Sequence, residues 1–110
     1  MWLCFNDGFL SVVVDKKDPA RLMVRSRRRA DLVAVVGADA EIIETPNNDY
    51  RWRSFVSREQ FAKIVADRVS RIDYSNFKNS VSDHDLHELY MDVWSLHYRY
   101  GQRDPLVKRR

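Results

Sequence analysis

The sequence predicts an α+β protein: an antiparallel sheet of about five strands with helices packed on one face. Three observations carry that expectation. Five short runs rich in aliphatic, β-branched and aromatic residues recur between turn-forming residues. Two of them, Leu22–Arg27 and Tyr50–Val56, alternate apolar or small residues with arginines, the period of a strand with two unlike faces. Two later segments carry apolar residues at helical spacing, each behind a capping residue. The sequence order is β-β-β-α-β-β-α-α, and its strand–helix–strand–strand–helix section has the order of a split β-α-β, ferredoxin-like unit.

The elements follow in turn. Met1–Phe5 and Phe9–Val14 read as strands joined through Asn6-Asp7-Gly8, a spacer suited to a hairpin loop with Gly8 free to adopt positive φ. Lys16–Arg21, with Asp18-Pro19, is a polar turn. In the third strand, Leu22, Val24 and Ser26 share one face and Met23, Arg25 and Arg27 the other. Asp31–Val36 suits a short helix closed by Gly37. Ala40–Thr45 reads as the fourth strand, Pro46–Asp49 as a turn and Tyr50–Val56 as the fifth strand. Here Tyr50, Trp52, Ser54 and Val56 point one way, and Arg51, Arg53 and Phe55 the other. Ser57 with Gln60 fits a capping box. The helix behind it reaches about Arg71, with Phe61, Ile64, Val65, the Arg68 stem, Val69 and Ile72 as its stripe. Asp73–Ser80 interrupts, and Asp83 caps a last helix through about Tyr100. Its inner side is expected to carry Leu86, Leu89, Tyr90, Val93, Trp94 and His97. Residues 1–101 form one expected domain, and 102–110 a polar tail ending in Lys108-Arg109-Arg110.

Composition narrows the class. A hydrophobic content of 45% with three Gly and three Pro favours a compact globular chain over a disordered one. The net charge of +3 permits nucleic-acid binding without requiring it. The excess sits in the first third, where seven basic residues face four acidic ones up to Gly37. One cysteine, Cys4, rules out an internal disulfide and a cysteine-based zinc site, and its apolar surroundings suggest a small buried thiol. The short apolar start lacks a signal peptide's pattern, and no run approaches the ~20 apolar residues of a membrane span. A cytoplasmic, non-membrane protein is expected.

The candidate sites are few. If the third and fifth strands share a sheet, Arg25, Arg27, Arg51 and Arg53 stand away from the helices. Guanidinium groups fit phosphates and carboxylates bidentately, and Phe55 or Met23 supplies stacking or apolar area beside them. The alternative is a solvated face whose arginines pair with Asp15, Glu41 and Glu44 across strands. Tyr74, Asn76 and Lys78 either line a cleft beside the end of the fifth strand or, with Phe77, anchor an interhelical loop. His84, His87 and Glu88 have metal-ligand types at helical spacing. The His-Glu-x-x-His order fails at Met91, so a plain helix start is the expectation. No nucleophile elbow or glycine-rich phosphate loop accompanies them. The last helix carries more apolar surface than one stripe needs, through Leu89, Tyr90, Met91, Trp94, Tyr98 and Tyr100, which suggests a second contact surface.

The pieces GFLSVV, LMVRSR, ETPNNDYRWR, IDYSNFKNSV and YMDVW together resemble a family of small uncharacterised bacterial and phage proteins, with DYRWR and IDYSNFKN the specific motifs. The resemblance spans roughly Met1 to Tyr100. It implies a shared fold and a single local arrangement of Tyr50, Arg51, Arg53, Tyr74, Asn76, Phe77 and Lys78.

The expected function is a small non-enzymatic protein, without cofactor, that docks on a protein or nucleoprotein complex. An anti-CRISPR-like, phage-type inhibitor of host defence has this size and character. The alternative is a nucleic-acid-binding protein using the arginine face. An enzyme would require a deep pocket joining Tyr50, Tyr74 and Lys78. Tyr50, Arg51, Arg53, Arg25, Arg27, Tyr74, Asn76, Lys78 and Trp94 are the expected binding residues.

Overall fold

A computed structural model describes residues 1–106, so the basic end of the tail, Lys108-Arg109-Arg110, lies outside the described residues. The chain forms β1 (Trp2–Phe5), β2 (Gly8–Val14), β3 (Arg21–Ser26), α1 (Arg29–Val36), β4 (Ile43–Glu44), β5 (Trp52–Ser57), α2 (Arg58–Ser70), a 3-10 turn (Lys78–Ser80) and α3 (His84–Gly101). The strands make one antiparallel sheet in the order β1-β2-β3-β5-β4. Since β5 is antiparallel to both β3 and β4, those two run in the same direction with β5 between them. That is the split β-α-β arrangement inside an α+β sheet, as the sequence order predicts.

One face of the sheet holds the main core. Leu10 and Val12 of β2, Val24 of β3 and Val56 of β5 meet Leu32 and Val35 of α1 and Phe61 of α2. The alternation that supplies these residues sends Ser11, Val13, Met23, Arg25, Arg53 and Phe55 to the other face. α2 begins as expected: Ser57 Oγ accepts a hydrogen bond from the Gln60 amide at 3.1 Å. Its stripe, however, ends at Arg68, because Val69 and Ile72 lie past the sheet and are exposed. The fourth strand is two residues rather than six. The Glu41 carbonyl just before it takes a hydrogen bond from the Ser54 hydroxyl at 2.9 Å instead of joining the ladder.

Gly8 serves a purpose other than the expected one. Among the glycines only Gly37 has positive φ, at 93°. Gly8 opens β2 beneath α1, where an added Cβ would come 2.9 Å from the Asp31 carbonyl oxygen and 3.0 Å from Asp31 Cα. The residue is glycine because α1 approaches the hairpin backbone closely. The contact is polar as well, since the Phe9 amide donates to Asp31 Oδ2 at 3.1 Å. Burial holds that carboxyl above its ordinary range. Cys4 sits on edge strand β1 and is exposed, contrary to the buried thiol expected from its neighbours.

α3 is capped by Asp83, whose carboxylate accepts from the Leu86 amide at 2.9 Å. It packs with the 3-10 turn on the β1–β2 hairpin, through a second cluster of Val81, Leu86 and Tyr90 with Phe9 and Phe77. The Tyr90 hydroxyl donates to the Phe5 and Gly8 carbonyls at 2.8 and 3.1 Å, which ties the helix to the hairpin turn. Only Leu86 and Tyr90 of the expected inner side are buried. An 18-residue helix is about 27 Å long and outruns the hairpin beneath it. From Trp94 to Tyr100 every residue is exposed.

Candidate nucleic-acid interface

The open face of the sheet is where the chain's basic character gathers. Strand register fixes the arrangement: Ser11, Arg25, Arg53 and Ile43 form one row across β2, β3, β5 and β4, and Val13, Met23 and Phe55 form the next. Arg25 and Arg53 are direct cross-strand partners, a like-charge pairing that an antiparallel sheet ordinarily avoids. Neither is ion-paired among the described residues. Arg25 Nη2 donates to Ser11 Oγ at 2.7 Å. Arg53 uses Met23 Sδ at 3.1 Å and, at a long 3.4 Å, the Tyr50 carbonyl. The Nε–H of each arginine is buried with no acceptor. Two charged donors are thus held together by neutral and weak acceptors, which leaves much of their hydrogen-bonding capacity unused.

A groove of about 720 Å³ runs along this face. Val13, Met23 and Phe55 give it an apolar floor, and Lys16, Lys17, Arg21, Arg25 and Arg53 surround them. The single carboxylate in its lining, Asp15, is already engaged. It takes Arg21 Nη2 at 2.8 Å and the Lys17 amide at 3.0 Å, and Arg21 lies over the Phe55 ring at 4.8 Å. The groove therefore presents a net positive field above an apolar surface.

Arg27 and Tyr50 close the end of the row. The Tyr50 ring is buried between two guanidinium groups, Arg25 at 4.6 Å and Arg27 at 4.4 Å, and Arg27 Nη1 pairs with Asp49 Oδ1 at 2.7 Å. Tyr50 was expected on the core side with Trp52, and Arg51 beside Arg53. The chain bends through Asn48–Tyr50, and strand alternation starts only at Trp52. As a result Tyr50 joins the arginine row and Arg51 leaves it. Arg51 Nε donates to Glu44 Oε2 at 2.7 Å, and its guanidinium sits 6.0 Å from the Trp52 ring. Of the pairings with Asp15, Glu41 and Glu44 offered as the alternative, only Arg51 with Glu44 forms; Arg27 takes Asp49 instead, and Arg25 and Arg53 pair with no carboxylate among the described residues.

The other expected binding residues lie in the loop between α2 and α3 or on α3 itself, and Tyr74 also lines a small pocket with Phe5, Asp7 and Arg68. Tyr74 packs on Phe77 at 5.7 Å and Phe77 on Tyr90 at 5.2 Å, while Asn76 Oδ1 accepts from the Asn79 amide at 3.2 Å. Lys78 Nζ stands 5.3 Å from the Trp94 ring, which stacks on Tyr98. These contacts anchor the loop, and they correct the single arrangement expected for DYRWR and IDYSNFKN: the two motifs form separate groups. His84 Nε2 meets Glu88 Oε1 at 3.2 Å on an exposed helix turn. Among the described residues no three His, Cys, Asp or Glu side chains converge as a metal site would require. Lys16, Lys17 and Arg21 also line the groove, although in sequence they belong to a polar turn. The turn's position at the Val13–Met23 end of the sheet is the signal that could have placed them.

Acid should loosen the sheet at both ends of β3. Hydrogen bonds from Arg21 and from the Lys17 amide hold Asp15 below the usual carboxylate range, and Arg27 does the same for Asp49. Their contribution is complete above the ordinary Asp value near 3.9 and is lost as pH falls through the lowered folded values. Asp31, shifted upward, works in the opposite sense. In acid titrations followed by thermal melting, Asp15→Asn should flatten the acid-side decline. An unchanged profile would show that the Asp15 pair contributes nothing.

Comparison with protein-family models, with curated proteins and with solved structures finds no match for this chain. Fold and site together describe an α+β protein with a basic groove on its uncovered sheet face. No helix among the described residues is long and apolar enough to cross a membrane.

Proposed function

We propose that this protein acts by binding rather than catalysis, and that its groove docks on the nucleic-acid strand of a nucleoprotein complex. The observation that carries the reading is the Arg25–Arg53 pair: two guanidinium groups opposite one another, without a carboxylate, above Val13, Met23 and Phe55. Phosphate oxygens would accept from the guanidinium N–H groups that border the groove and offset the like-charge contact, while the two Nε–H groups stay buried beneath them. Alternate positions of β3 place Arg21, Met23 and Arg25 on this face at steps of about 6.8 Å, with Arg27 just beyond the strand, so that arginines flank an apolar residue along a line that an extended backbone can follow. The apolar floor suits unstacked bases better than it suits the carboxylates of an acidic protein. A phage-type, anti-CRISPR-like inhibitor of host defence is one kind of protein that could act by covering a strand in this way.

A labelled oligothymidine titrated at several salt concentrations tests the proposal. With three or four phosphates engaged, log K should fall against log salt with a slope of about −2 to −3. Binding that ignores salt, or no binding at about 50 mM salt, would overturn it.

A further inference from the structure

The exposed half of α3 carries a pattern that neither the core nor the groove uses. Leu86, Leu89, Val93, Leu96 and Tyr100 are spaced 3, 4, 3 and 4 residues apart, the seam of a helix that packs on another helix. Leu86 is buried and Val93 half-buried, while the other three are open. Leu89 is 44% exposed, Leu96 55% and Tyr100 73%. The seam therefore continues past the body of the protein with nothing upon it among the described residues. α3 also has the most pronounced separation of apolar and polar sides of the three helices.

Charge says what fits there. Asp92 and Arg99 stand one heptad apart on the same edge of the seam, and neither is ion-paired among the described residues. If a second α3 is laid antiparallel, Val93 meets Leu96 of the copy and Leu89 meets Tyr100. Each Asp92 then faces the Arg99 of the other chain, once on either side of the two-fold axis. The helix is complementary to its own reverse, which is the requirement of a closed two-fold interface. We propose that α3 is a homodimerisation helix, with an antiparallel copy of itself as the occupant of the Leu89–Tyr100 seam. This goes beyond the binding reading of the groove and stands without it.

Two heptads make a small interface, so dissociation should fall on the order of 10 µM. Sedimentation velocity from about 1 to about 200 µM should show the mass pass from one chain to two. Leu96→Glu, at an exposed position outside both cores, should keep the circular dichroism of the parent and remain monomeric throughout. Asp92→Arg and Arg99→Asp should each weaken association about tenfold or more, and the double exchange should recover most of it. A monomer at every concentration would overturn the proposal. So would a dimer that survives Leu96→Glu, or one whose affinity ignores both single charge reversals.

Discussion

Replacing both groove arginines, in Arg25→Ala/Arg53→Ala, should lower oligonucleotide affinity by about tenfold to a hundredfold at low salt and leave the protein as stable as its parent. Charge-assisted hydrogen bonds to phosphate are worth more than neutral ones, and two of them disappear together. The salt slope should also flatten by about 1.4, the share of two phosphate contacts on a single strand. Stability is the sharper part of the prediction. In the free protein the pair costs something: two like charges meet across the ladder, and two buried Nε–H groups lack acceptors. Against that stand the 2.7 Å hydrogen bond from Arg25 to the buried Ser11 hydroxyl, the contact of Arg25 with the Tyr50 ring and the weak bonds from Arg53 to Met23 and Tyr50. The two sides should cancel to within about 1 kcal/mol. Urea unfolding of the double variant measures the balance. A loss above about 3 kcal/mol would mean that these arginines hold the sheet together and are not held in reserve for a ligand.

Gly8→Ala should be the most damaging small substitution in the chain. The new methyl group would point at the Asp31 backbone, with its carbonyl oxygen at 2.9 Å and Cα at 3.0 Å, inside the contact distance of any real side chain. Backbone cannot rotate away as a flexible side chain can. α1 would have to lift from the hairpin, or the hairpin from α1. Both are pinned, by the Phe9 amide on Asp31 and by the Tyr90 hydroxyl on the Gly8 carbonyl. Overpacking of this kind costs about 1–3 kcal/mol, and the upper end applies where nothing nearby can yield. Because α1, the hairpin and α3 meet here, chemical denaturation should show a lower midpoint with an unchanged slope. An alanine variant as stable as the parent would show that the close approach is not a constraint on the fold.

Fold class was legible because strand and helix periods are local properties of the chain. The alternation at Leu22–Arg27 placed Val24 in the core and Arg25 on the open face, and the capping residues Ser57 and Asp83 start their helices as read. What the sequence concealed were effects decided elsewhere. The faces of Tyr50 and Arg51 exchange because a bend, not a strand, carries the chain through Asn48–Tyr50. Gly8 reads as a turn glycine, while its true constraint is Asp31, distant in sequence. Leu89 and Trp94 look like core residues of a helix; the short reach of the β1–β2 hairpin leaves Trp94 uncovered, whereas Leu89 turns aside between the buried Leu86 and Tyr90. The groove was half visible. Arg25 and Arg53 stood out by period, but Lys16, Lys17 and Arg21 belong to it through strand register, which pattern alone does not supply.

The most direct test is an NMR titration of the labelled protein with oligothymidine, following the Nε–H signals of Arg25 and Arg53 together with the amides. Both Nε–H signals should shift as phosphate binds at the outer N–H groups of the same guanidinium groups, and amides of Val13, Met23 and Phe55 should move with them while those of α3 stay in place. Signals that remain fixed in the groove, or move only along α3, would contradict it.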